Sequence, residues 1–164
     1  MRTFTAVVVS ILAATLVPSL AFALYWAVAA GSDGMRLMPL VLFFASLVSL
    51  GHALLLGVPG AAWLLRRRQF TIPRMAVLGT LVGALPFAIW AQPYKYAGTL
   101  SSSFSGGEWK LIDGMPTKAG WVDYLWATGT AGLLGALGGI AFCLAYRSLS
   151  ANNSSKPTPL RGAA

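Results

Sequence analysis

Four long stretches of this chain carry almost no charge, and that property decides what it can fold into. Residues 4–29 hold no charged side chain, and residues 37–65 hold only the titratable His52. Residues 75–91 are uncharged, and residues 121–146 contain one acid, Asp123. Crossing a hydrocarbon layer about 30 Å thick takes about 20 apolar residues in a helix. Lipid offers backbone N–H and C=O groups no partners, so such runs satisfy themselves as helices. A barrel would need alternating rather than continuous apolar residues. The expected fold is therefore all-α: an integral four-helix transmembrane bundle with spans at about 4–29, 37–65, 74–91 and 121–146. Residues 1–147 make up that domain. Residues 148–164, with Asn152, Asn153, Ser154, Ser155 and two prolines, read as a disordered cytoplasmic tail.

Composition agrees. Hydrophobic residues are 57% of the 164 and charged residues 10%, against about 25% charged in a soluble domain. That leaves too little polar surface for a water-soluble particle, which excludes a cytosolic enzyme or a disordered chain. The single Cys143 allows no internal disulfide, and the single His52 cannot supply a histidine pair for haem.

The cations set the expected orientation. Arg2, Arg66, Arg67, Arg68, Arg74, Arg147, Lys156 and Arg161 fall on one side of an alternating topology with no acid among them. The other side carries Arg36, Lys95, Lys110 and Lys118 against Asp33, Glu108, Asp113 and Asp123. Basic loops stay in the cytoplasm, so both termini are expected there and residues 92–120 form one long extracytoplasmic loop. Arg66, Arg67, Arg68 and Arg74 are the topology anchor, meeting anionic head groups rather than nucleic acid. The implied location is the bacterial inner (plasma) membrane, and the bilayer is the first partner. A competing reading of the start is a signal peptide cleaved after Ala21-Phe22-Ala23. The apolar run continues through Trp26 to Ala30, which favours an uncleaved span. Pro18, Pro59 and Pro86 are expected to kink their helices, and residues 31–36 to make a tight outer turn.

Few residues offer chemistry. His52 lies near the expected bilayer midplane, where a titratable group is costly and by default a functional candidate. Ser49, Thr15, Thr80 and Thr130 are its candidate polar neighbours. The alternative role is one interhelical hydrogen bond from a neutral ring. Gly79, Gly83, Gly132, Gly135 and Gly139 form small-residue stripes for close helix packing, within the monomer or in a homodimer. In the outer loop Asp113-Gly114 is a turn dipeptide able to close a small hairpin, with residues 98–107 flexible. Tyr94, Tyr96, Trp109, Asp113 and Trp121 are candidate recognition residues, the alternative for the aromatics being an interfacial belt. Asp123 suits a helix N-terminus, with Lys118 or Arg36 to pair with it. Ser49 beside His52 lacks an orienting third group, so no catalytic residue is assigned. No metal ligand set exists, and no cofactor is implied.

Four short spans, a basic inner turn and a loop running Trp109-Lys110-Leu111-Ile112-Asp113-Gly114-Met115-Pro116-Thr117-Lys118-Ala119-Gly120-Trp121 into a glycine-rich helix resemble a class of small uncharacterised four-helix bacterial inner-membrane proteins. The resemblance implies topology and location and brings no activity. The expected function is a non-enzymatic accessory or complex subunit, acting through helix packing and its outer loop on another membrane protein or on itself. The alternative is a small homo-oligomeric transporter or channel using His52.

Overall fold

The four long uncharged stretches are helical almost throughout. The computed structural model describes residues 2–154, with side chains for residues 4–151. Helices α1 (Arg2–Ala29), α2 (Gly31–His52), α3 (Val58–Arg66), α4 (Ile72–Trp90) and α5 (Lys118–Ser154) account for most of it. A π-helical turn, Ala53–Gly57, joins α2 to α3, so these make one continuous rod. Among the described residues four helical stretches are long and apolar enough to cross a membrane: Phe4–Ala29, Gly31–Arg66, Ile72–Tyr96 and Lys118–Ala151.

The rods pack as a row in the order α2, α1, α5, α4. The middle pair, α1 and α5, bury the most; few residues of α2 and α4 are fully buried. The outer two meet at the π turn and α3. There Ala61, Leu64, Met75, Phe142 and Cys143 form a buried cluster, with Phe70 and Tyr146 packed against it. Phe70 sits edge-on to Phe142 and Tyr146 at 6.3 and 5.3 Å. Arg147 donates to the Phe70 carbonyl at 2.9 Å, so the turn after α3 is tied to α5.

Local sequence explains the breaks. Gly31 takes φ +60, a left-handed conformation that glycine adopts without strain. The reversal therefore needs no six-residue turn, and residues 31–36 are helical. Asp33 in the first turn of α2 suits the positive end of its dipole. Pro59 has no N–H and its ring collides with the carbonyl four residues back. The wider π turn just before it absorbs that clash, a feature the expected uninterrupted span did not include. Pro39 is a further helix-interior proline. Pro18 leaves the Ala14 carbonyl without its helical donor, and Gly138 of α5 packs there: a Cβ on it would stand 2.9 Å from that oxygen. The last helix ends later than expected. Residues 148–154 continue α5, and the remainder of the proposed tail lies outside the described residues.

α4 and α5 touch backbone to backbone. A Cβ on Gly79 would stand 2.8 Å from the Gly135 carbonyl carbon and 3.1 Å from the Gly139 nitrogen. Gly83 opposes Ala131 and Gly135, and Gly132 faces Thr80 and Ala84. The glycine stripes therefore meet each other inside one chain.

The loop between α4 and α5 is folded. Pro93–Tyr96 is a 3-10 turn. Strands β1 (Ser103–Ser105), β2 (Glu108–Ile112) and β3 (Met115–Pro116) form an antiparallel sheet in the order β1-β2-β3. Asp113-Gly114 closes β2 onto β3 with φ +47 and +77, as a hairpin turn of that composition requires. Gly106-Gly107, φ +60 and +81, does the same between β1 and β2. The stretch expected to be flexible thus contains a strand, because two glycines supply its turn.

Candidate functional site

Because α2 and α4 stand apart, a cleft of about 1110 Å³ opens sideways between them, with α1 and α5 as its back wall. At one end its mouth is ringed by Tyr25, Trp26, Trp90 and Trp126; at the other it closes on Met75, Gly57 and Phe142. Between them the walls are Leu, Val, Ala, Gly and Phe side chains. The polar groups on the wall are Ser19, Ser49, His52 and Thr130.

The His52 constellation is only partly assembled. Ser49, His52 and Thr130 line the cleft; Thr15 and Thr80 do not. Thr15 donates to the Ile11 carbonyl at 2.9 Å and Thr80 to that of Ala76 at 3.0 Å. These are bonds back to the preceding turn, the usual refuge of a hydroxyl on an apolar helix. The His52 Nδ1 lies 2.8 Å from the Val48 carbonyl, also one turn back. The expected bond to a threonine of another helix is therefore absent. An interhelical polar contact here belongs instead to Ser19, which donates to the Thr15 carbonyl at 2.7 Å while its oxygen lies 3.2 Å from Ser49 Oγ. Ser19 was missing from the sequence candidates, although a serine beside a proline in an uncharged span was the available signal.

The second candidate is the folded loop. Lys110 on β2 ties the sheet to α5, with Nζ 3.1 Å from Asp123 and 3.3 Å from Glu108. The Asp123 hydrogen bond holds the Lys110 ammonium above its usual value of 10.5; partial burial opposes this and Glu108 adds to it. Asp123 thus pairs with neither Lys118 nor Arg36, because the hairpin folds Lys110 over the start of α5. Thr117 caps α5, accepting from the Gly120 N–H at 3.2 Å while its hydroxyl donates to the Trp109 carbonyl. Trp121 packs edge-on to Tyr94 at 5.3 Å and to Tyr124 at 5.7 Å. Tyr124 donates to the Ala88 carbonyl of α4 at 3.0 Å. Tyr94 and Trp121 therefore brace the loop. Tyr96 accepts the Thr99 hydroxyl on its carbonyl, and Asp113 serves the turn, its N–H donating to Ser102 Oγ at 3.1 Å. Trp109 differs. It pairs edge-on with Phe104 at 5.2 Å, and the two rings are 51% and 58% exposed. Leu100 nearby is 92% exposed.

At the opposite end, Arg67 stacks over Trp63 at 5.6 Å. Arg68 holds φ +54 in the cap that ends α3, where the Gln69 N–H donates to the Leu64 carbonyl at 2.9 Å. Arg66 closes α3 and Arg74 opens α4. Among the described residues no group of three or more His, Cys, Asp or Glu is placed to hold a metal ion. No protein-family model matches this chain, and neither a curated protein nor a solved structure matches it.

Proposed function

We propose that this chain is a multi-pass protein of the bacterial inner membrane, with both termini in the cytoplasm, and that it works as a non-enzymatic accessory or complex subunit through its extracytoplasmic loop. The observation that carries the reading is the Phe104–Trp109 pair. Two large rings stand exposed on a sheet that an ion pair, a helix cap and an aromatic brace hold rigidly against α5. Loops on rigid supports carry recognition, and aromatic residues dominate contact energies at protein interfaces. The membrane setting is supported by Phe43, Phe44, Leu47 and Val48, all more than half exposed on α2, which water would not tolerate as a continuous face. The orientation is supported by the arginines gathered at the α3–α4 turn, where cytoplasmic loops concentrate them. A second membrane protein or a second copy of the chain is the partner; nucleic acid is not.

A transporter using His52 has less support. The cleft beside it is walled by apolar side chains, and the hydroxyls of Thr15 and Thr80 turn back to their own helices.

A photo-crosslinking amino acid at position 109, introduced in native membranes, tests the proposal. One discrete protein adduct, reduced by Phe104→Ser, is expected. Adducts to lipid alone would overturn it.

A further inference from the structure

We propose that the cleft between α2 and α4 binds one membrane phospholipid, taken sideways from the bilayer, its chain in the cleft and its phosphate head at the aromatic mouth. This rests on the membrane setting proposed above but not on the loop's role in recognition.

Three observations select this occupant. The first is the polarity of the walls. Leu40, Val48, Leu78, Val82 and Leu134 line the interior, and Trp26, Trp90 and Trp126 stand at one end. Apolar cavities of this kind do not hold water, and Trp rings settle at the level of lipid head groups. An amphiphile has the same arrangement, apolar along its length and polar at one end.

The second is charge. Lys95 Nζ sits 4.8 Å over the Trp90 ring, putting a cation at the mouth where a phosphate would lie. The start of α2 carries one charge of each sign, Asp33 and Arg36.

The third is size. From Trp126 to Phe142 the cleft follows about 24 Å of helix, longer than the roughly 15 Å depth of one leaflet. An extended acyl chain reaching down one leaflet therefore covers more than half of it.

The test uses the full chain in nanodiscs of phosphatidylcholine and phosphatidylglycerol, followed by exchange into detergent and native mass spectrometry. Wild-type protein is expected to keep one phospholipid per chain, enriched in phosphatidylglycerol. Ala45→Phe with Ala127→Leu, which fills the cleft from α2 and α5, should abolish retention with helicity unchanged. Lys95→Glu should cut the phosphatidylglycerol preference severalfold. Lys95→Glu, outside the packed interior, provides a readout independent of any folding effect of the filling variant. Wild-type protein retaining no lipid, equal retention by both variants, or a protein dimer occupying the cleft in place of lipid would each overturn the proposal. Failure of the chain to sediment with membranes would refute the membrane setting instead, and is read separately by fractionation.

Discussion

Adding one methyl group at Gly79 should have the opposite effect to adding one at Gly129. At Gly79 the new carbon would stand 2.8 Å from the Gly135 carbonyl carbon and 3.1 Å from the Gly139 nitrogen, and closer still to the Gly135 oxygen. Favourable contact between carbons begins at about 3.5 Å, so α4 and α5 must separate locally by about 1 Å. Both neighbours are backbone and cannot rotate away. Overpacking of this kind costs about 1–3 kcal/mol, offset by a gain of up to about 1 kcal/mol in helix propensity. Gly79→Ala should therefore lose about 1–2 kcal/mol. Gly129, with nothing within 4 Å, shows only the propensity term, so Gly129→Ala should gain about 0.5–1 kcal/mol. The Gly79→Ala/Gly135→Ala pair should cost less than the sum of its parts, because one separation of the helices accommodates both methyls. Reversible unfolding of the full chain in mixed micelles measures all four. Equal stabilities for Gly79→Ala and Gly129→Ala would refute the backbone contact between α4 and α5.

The Thr128 hydroxyl is buried without a partner. Thr128→Val keeps the shape and removes a group whose burial costs about 1–3 kcal/mol, so the same unfolding assay should show equal or greater stability. Lys110 has its pKa raised in the folded loop, so the stabilisation from its ammonium is complete below its ordinary value of 10.5 and fades as pH rises past the folded value. Asp123→Asn removes the largest cause of that shift. Its loop should be cleaved faster than wild type in limited proteolysis at neutral pH, and the difference should vanish in strong alkali. Gly114 sits at φ +77, and a Cβ there would stand 2.6 Å from the Thr99 carbonyl. Gly114→Ala should release the sheet, seen as rapid cleavage between residues 97 and 117 with helicity unchanged.

The sequence was most informative where a single residue type carries a mechanism. Uncharged length marked the four long helices. Asp113-Gly114 marked a hairpin because both positions need positive φ, and the glycines marked surfaces of close approach. Helix order was not legible. A helix that is apolar all round, as α1 and α4 nearly are, has no polar face to say which side turns inward, so nothing announced that α2 and α4 would part and leave a cleft. The π turn was hidden as well: Pro59 was visible, but not how the chain would accommodate it. His52 drew attention by its type and depth, yet its nearest polar partner is the carbonyl of Val48 on its own helix. The Ser19–Ser49 contact went unnoticed because hydroxyls that bond to the preceding turn look inert in a sequence. The platform under Phe104 and Trp109 depends on Lys110 reaching Asp123, thirteen residues away, a pairing that exists only once the hairpin has folded.

The exposed Phe104–Trp109 face is proposed to engage a partner. Gentle extraction of the tagged chain from its native membranes, with the intact assembly weighed, tests it directly. One stoichiometric assembly is expected, with a second membrane protein or a second copy, that Phe104→Ser/Trp109→Ser dissociates while the chain stays folded. A lone wild-type monomer, or an assembly indifferent to that double substitution, would contradict it.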